Sequence, residues 1–228
     1  MHTKDFKDAA ARLIDSEWLE PTVDFIDEAM SGSGSHDLGH LWRVLRNARR
    51  IADGEIQRGA RIDWEVLAAA ALLHDVVDLP KDHPERHLAS TKSARAAVEH
   101  FERLGTFDDE RREAIAHAVS AHSFSAGIAA ESLESQILTD ADRLESLGAF
   151  GIARTFYVSG ELQRSICEMD DPFADHRELD DLEYAVDHFY TKLLRLRERF
   201  YTPTGKHLAD KRHTFMERFL EQLADEIS

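Results

Sequence analysis

The chain is expected to fold as an all-α protein, a single compact helical bundle, and three observations predict this. Apolar residues recur at three- and four-residue spacing, as at Leu41, Val44, Leu45, Ala48, Ile51 and Ala52, the period of one buried helix face. The run from Val66 to Leu73 is apolar on every side and rich in Ala and Leu, which suits a central helix rather than a strand. No series of strand-like segments appears anywhere in the sequence.

Taken in order, helices are expected at about 3–19 and 22–30, followed by a flexible linker at Ser31-Gly32-Ser33-Gly34-Ser35. The periodic segment then gives a helix at about 36–53. The apolar run gives one from Asp63 to His74, closing near Val77 before Pro80 and Pro84. Further helices are expected at about 86–104, 109–121, 131–147 and 149–159. A loop containing Asp170-Asp171-Pro172 separates them from two final helices at about 180–200 and 206–226.

A length of 228 residues with 43% hydrophobic content supports one domain with a sizeable core. The single cysteine, Cys167, cannot form an internal bridge, and no multi-cysteine zinc pattern is present, so a reducing cytoplasmic setting is expected. Met1 to Ala11 has no apolar core of signal-peptide length, and no other run approaches a membrane span. The formal charge of −16 argues against a protein that coats nucleic acid.

Thirteen histidines, several beside aspartates, prompt a search for a metal site. Three places combine ligand types with a suitable setting. In Ser35-His36-Asp37-Leu38-Gly39-His40-Leu41-Trp42-Arg43-Val44, His36 and His40 share one helix face at i, i+4 spacing. His74-Asp75 closes the buried helix, where a charged pair is costly without a partner and where the carbonyl end attracts a cation. Asp140 and Asp142 sit in an amphipathic helix, on nearly opposite faces. Periodicity does not choose between them. His36-Asp37, beside the linker, is more simply a solvated helix start.

With these residues in order, His40, His74-Asp75 and then Asp142, the sequence resembles the HD-domain superfamily of metal-dependent phosphohydrolases. The likeness extends through His40-Leu41-Trp42-Arg43-Val44, Ala68 to Asp75, Ala121-His122-Ser123, Asp140-Ala141-Asp142-Arg143-Leu144, Val76 to Lys81 and the tail from His188 to Phe219. It is similar to the small bacterial YedJ/YpgQ-like branch. The resemblance implies one HD bundle over residues 1–228, its metal core at about 36–150 and C-terminal helices at about 180–227 completing the pocket. It also implies His40, His74, Asp75 and Asp142 as metal ligands, since the family's Ala-Asp-Arg/Lys-Leu form favours Asp142 over Asp140.

Two imidazoles and two carboxylates balance one divalent ion, and this mixed set suits Mn²⁺, Fe²⁺, Co²⁺, Ni²⁺ or Zn²⁺, with Mg²⁺ also admitted and a transition ion favoured. Catalytic roles are expected for Asp75, for Asp78 and for His122. Asp78 would reach water beside the metal if the helix persists one further turn, and is otherwise a solvated helix-end aspartate. His122 is the surplus histidine expected to line the pocket, and with His87 and His117 it leaves a second ion open. Residues 192–212 carry seven basic against two acidic side chains, a local patch suited to phosphate in an acidic chain. The branch resemblance points to Lys192 and Arg212 for phosphate contact, with Lys81 and Arg154 next.

The expected activity is hydrolysis of a phosphoester or phosphoanhydride in a phosphorylated small molecule. The resemblance implies a nucleotide, most specifically a (deoxy)nucleoside triphosphate. Two alternatives stand beside it: a di-iron oxygenase on the same fold, and a non-catalytic domain that keeps a metal for stability. No membrane partner and no stable nucleic-acid partner are expected, and homo-oligomerisation is left open.

Overall fold

A computed structural model of the chain describes residues 1–30, 38–79 and 83–227, apart from the Met30 side chain. The expected linker at 31–35, the His36-Asp37 pair, Pro80 and Lys81 lie outside the described residues. The chain divides into two compact units, 1–142 and 143–228. Among the described residues it forms α-helices and short 3-10 turns, with one isolated parallel bridge between Ser165 and Tyr184.

The first unit is organised around a helix whose start is set by one carboxylate. Asp63 accepts hydrogen bonds from the backbone N–H groups of Glu65 and Val66 at 3.1 and 3.2 Å, an N-cap that launches α4 (Trp64–Leu73). Val66 to Leu73 are all buried, at 0–2% exposure, as a helix apolar on every side must be. Around α4 pack α3 (Leu38–Gln57), α5 (Ala89–Leu104) and α6 (Asp109–Ala121). Asp108 caps α6 by accepting from Arg111 N at 2.9 Å. Gly105 ends α5 with φ of +66°, a left-handed conformation that favours glycine. The helix α7 (Leu133–Arg143) closes the unit and runs into a 3-10 turn at Leu144–Ser146.

The helix expected at 3–19 stops at Ala10 as α1 (Thr3–Ala10), and the one expected at 22–30 starts three residues earlier as α2 (Leu19–Met30). The indole N–H of Trp64 takes the Leu13 carbonyl at 2.9 Å, and the Ser16 hydroxyl donates to Glu65. The Leu13 carbonyl is a group that a continuous helix would have needed for itself.

The second unit contains α8 (Gly148–Glu161), α9 (Asp187–Thr191), a 3-10 stretch at Leu193–Arg199 and α10 (Pro203–Ile227). Phe156, Phe189 and Phe219 form its aromatic centre, with ring centroids 5.9–6.1 Å apart. Gly148 starts α8 at φ +75°, and a Cβ there would stand 3.0 Å from Cγ of Arg212.

The continuous helix expected at 180–200 does not form. Asp187 is fully buried, gripped by the Arg177 guanidinium at 2.5 and 2.8 Å and by Asp180 N at 2.7 Å. Glu183, Ala185 and Val186 meanwhile exchange backbone bonds with Ser165 and Ile166, and α9 starts only at Asp187. Lys192, at φ −134° and ψ −60°, then separates α9 from the 3-10 stretch.

Candidate metal centre

The first unit brings five ligand-type side chains together from four segments: His40 near the start of α3, His74 and Asp75 at the end of α4, His122 at the end of α6, and Asp142 in α7. His40, His74 and Asp142 form one group, and His74, Asp75 and His122 a second, with potential donor atoms within 4.8 Å of one another in each. The three histidines are buried, while the Asp75 and Asp142 side chains keep 23% and 33% exposure. The imidazole wall is therefore dry and the carboxylate side faces solvent.

Two of the rings are held by the same device. His74 and His122 are the residues that follow the last turn of α4 and of α6. Each aims Nδ1 at the carbonyl three residues earlier, Ala71 O at 2.9 Å and Val119 O at 2.6 Å. A carbonyl only accepts, so Nδ1 carries the hydrogen and Nε2 presents its lone pair when the ring is neutral. The helix-end carbonyls add partial negative charge at this point.

Nε2 of His40 and Nε2 of His74 face each other at 3.2 Å. Asp75 Oδ2 lies 3.5 Å from His74 Nε2 and 3.7 Å from His40 Nε2. Asp142 Oδ1 lies 3.7 Å from His40 Nε2. The other Asp75 oxygen, Oδ1, is turned to His122 Nε2 at 3.4 Å. Facing nitrogens with carboxylate oxygens around them need a shared proton or a cation, and a neutral-nitrogen, anionic-oxygen set fits a divalent transition ion.

The proton affinities fit this arrangement. Burial pushes the His74 pKa down to about 4, against the pull of the Asp75 charge, so the ring is neutral and its lone pair available near pH 7. Burial also works against a proton on His122, but the hydrogen bond and charge of Asp75, with Asp142 and the Val119 carbonyl, together raise its pKa above the ordinary value.

Asp140 is fully buried in α7 and stands outside both donor groups, while Asp142 stands within one of them. Asp78 is not on a helix, because α4 ends at Leu73 and residues 74–77 turn away. The premise of a helix persisting to Asp78 is thereby corrected. Its carboxylate lies 3.8 Å from the Arg86 guanidinium, which also donates to the Leu79 carbonyl. His117 accepts from Glu131 N at 3.2 Å and His87 is exposed; neither belongs to the donor groups found among the described residues.

Arg154, Lys192 and Arg212 belong to the second unit. Arg154 and Lys192 are exposed. Arg212 is half-buried and its guanidinium donates to the Leu144 carbonyl.

Two serines that carried no sequence signal tie down the segments bearing the ligand-type residues. Ser93 Oγ of α5 accepts from Val77 N at 3.1 Å, holding the turn after Asp75. Ser90 Oγ donates to Ser120 O at 3.1 Å, two residues before His122. Both look like ordinary helix serines in the sequence, and only the packing of α5 on α4 and α6 gives them this work.

The HD domain family model matches residues 37–147, a span that contains every member of the cluster. The uncharacterized protein YpgQ of Bacillus subtilis (strain 168) is 32% identical over 201 residues, 86% of each chain. The crystal structure of an HD-superfamily hydrolase from Bacillus thuringiensis superposes with a TM-score of 0.70 at 31% identity, covering 92% of this chain and 96% of that one. The crystal structure of Bacillus subtilis YpgQ in complex with ADP gives a TM-score of 0.65 at 27% identity, covering 91% and 95%. Helical architecture, ordered His and Asp residues, and likeness along nearly the whole chain agree: the protein belongs to the HD-domain superfamily of metal-dependent hydrolases.

Proposed function

We propose that the protein hydrolyses a phosphoester or phosphoanhydride bond in a nucleotide, with a (deoxy)nucleoside triphosphate as the specific substrate class. The observation that carries this reading is the convergence of His40, His74, Asp75 and Asp142 on one place, with imidazole lone pairs facing carboxylate oxygens. These four residues would hold one divalent ion, with Mn²⁺ favoured. When bound, such an ion supplies a water of lowered pKa and polarises a phosphoryl oxygen.

The side chains divide the remaining work. His74 and His122 keep fixed tautomers through their own helix carbonyls, so only Nε2 of each exchanges a proton or a ligand. Asp75 keeps part of its carboxylate open to solvent, a position from which it accepts a proton from water. In this reading His122 Nε2 would hold a proton for the leaving oxygen as the new P–O bond forms and the old one breaks. Nucleotide chemistry is supported by the ADP bound in the related Bacillus subtilis YpgQ structure. Lys192, Arg212, Lys81 and Arg154 are the cations assigned to the remaining phosphate charge.

One observation favours a two-ion version of the same centre. The two oxygens of Asp75 turn to different partners, Oδ2 to His40 and His74 and Oδ1 to His122, as a carboxylate shared by two ions does. The test is a screen of phosphorylated metabolites with Mn²⁺, Mg²⁺, Co²⁺ and Ni²⁺, separating phosphate from pyrophosphate as product and counting bound metal. Metal-dependent release from a nucleoside triphosphate, lost in His74→Ala, supports the proposal. Absence of turnover on every nucleotide by protein that is fully metal-loaded overturns it.

A further inference from the structure

We infer that Asn47 is a positioning residue for the metal centre, setting the distance between Asp142 on α7 and His40 on α3. Asn47 lies seven residues after His40, two turns along the same helix, so both project from one face of α3. Its side chain is buried, at 8% exposure, and Nδ2 donates to the carbonyl of Ala141 at 3.1 Å. Ala141 immediately precedes Asp142.

The choice of acceptor gives the bond its meaning. Ala141 lies in the last turn of α7, which ends at Arg143, and carbonyls in a last turn have no N–H partner four residues on within the helix. Asn47 supplies a donor there from a neighbouring helix, pinning the C-terminal end of α7 to α3. A buried amide among apolar neighbours costs free energy unless it is bonded. Leu41, Val44, Leu45, Ala48 and Ile51 surround it on α3 at 0% exposure. With the end of α7 tied to α3 in this way, the Asp142 carboxylate lies 3.7 Å from His40 Nε2.

This inference rests on the reading of His40 and Asp142 as metal ligands, and one set of measurements separates the two. Mn²⁺ affinity is measured by the free-ion electron paramagnetic resonance signal, alongside the melting temperature of the metal-free protein, for the parent, Asn47→Leu, Asp142→Asn and Ile26→Val. Ile26 is a fully buried residue of α2 outside the centre, and its truncation serves as a destabilised control. Asn47→Leu keeps the volume and removes the donor. It should raise the Mn²⁺ dissociation constant about tenfold, the scale found when a group orienting a ligand is lost, whereas Ile26→Val should leave it within about twofold of the parent.

Unchanged Mn²⁺ affinity in Asn47→Leu, with binding abolished in Asp142→Asn, overturns the role of Asn47 and leaves the ligand assignment standing. Unchanged affinity in Asp142→Asn overturns the ligand assignment and this inference with it. Should Asn47→Leu not fold, Asn47→Ser, which stays polar but lacks the reach, takes its place. Failure of both to fold assigns Asn47 to the scaffold alone and overturns the inference.

Discussion

Replacing Asp142 by Asn should change the stability of the protein in opposite directions with and without metal. Asp75 Oδ2 and Asp142 Oδ1 each lie 3.7 Å from His40 Nε2, so these oxygens are at most about 7.4 Å apart. Two unit charges at that separation repel by roughly 2 kcal/mol at an effective dielectric constant near 20. Both carboxylates are partly exposed, at 23% and 33%, and solvent reduces the repulsion to about 1 kcal/mol. In EDTA, Asp142→Asn relieves it, and the melting temperature should rise by about 2–4 °C for a chain of this size. With Mn²⁺ at about 100 times its dissociation constant the parent gains roughly 2.7 kcal/mol, or about 5–10 °C, and Asp142→Asn should gain little of it. Asp140→Asn, at a fully buried position outside the donor groups, should lower the melting temperature in both conditions and keep the Mn²⁺ increment. Differential scanning calorimetry reads all six values, three proteins in two conditions. A lowered metal-free melting temperature for Asp142→Asn, together with the full Mn²⁺ increment, would refute the reasoning and move the ligand to the other face of α7.

His100 is buried at 5% exposure, bonded to Thr22 Oγ1 at 3.0 Å and stacked on Phe25, and burial lowers its pKa from 6.5 to about 4. The unfolded chain then takes up the proton first, so this stability is complete above pH 6.5 and is lost as pH falls toward 4, with an upper limit of roughly 3 kcal/mol. Urea titrations across that window should show the loss in the parent and a flatter profile in His100→Gln; identical profiles would remove His100 as the cause. Leu67→Ala, at the fully buried centre of α4, should cost about 2–5 kcal/mol in the same urea titrations. Lys192→Ala should lower kcat/KM for a nucleoside triphosphate about tenfold, roughly 1.4 kcal/mol, at unchanged metal content. Arg212→Ala should do the same and also lower the melting temperature, because its guanidinium holds the Leu144 carbonyl; unaltered triphosphate kinetics in both would return the basic tail to plain surface.

The helices that were legible in the sequence are those whose limits are chemically local. α6 occupies Asp109–Ala121 as expected, and α4 begins within one residue of the expected start because Asp63 caps it, but stops at Leu73, short of the expected close near Val77. The breaks at 11–18 and at 180–186 were not legible, because each depends on a partner outside the segment: Trp64 for Leu13, Arg177 and Ser165 for the segment before α9. The site divides in the same way. His74-Asp75 was visible as a charged pair at the end of a buried helix. The turn of Asp75 Oδ1 to His122, across 47 positions, left no trace in spacing, and neither did the bond from Asn47 to Ala141. Resemblance to a family orders residues along a chain; it says nothing of which carbonyl an amide will find.

The shared tether of His74 and His122 has a consequence for how an ion enters and leaves. Each ring is oriented by a carbonyl of its own helix, so its rotational freedom is already lost when the helix folds. Capture of the ion then demands little further ordering of these two side chains. Exchange should be limited by the shedding of water from the ion itself, and ions that dehydrate slowly, Ni²⁺ above all, should enter more slowly than Mn²⁺ through an entrance that has no need to rearrange.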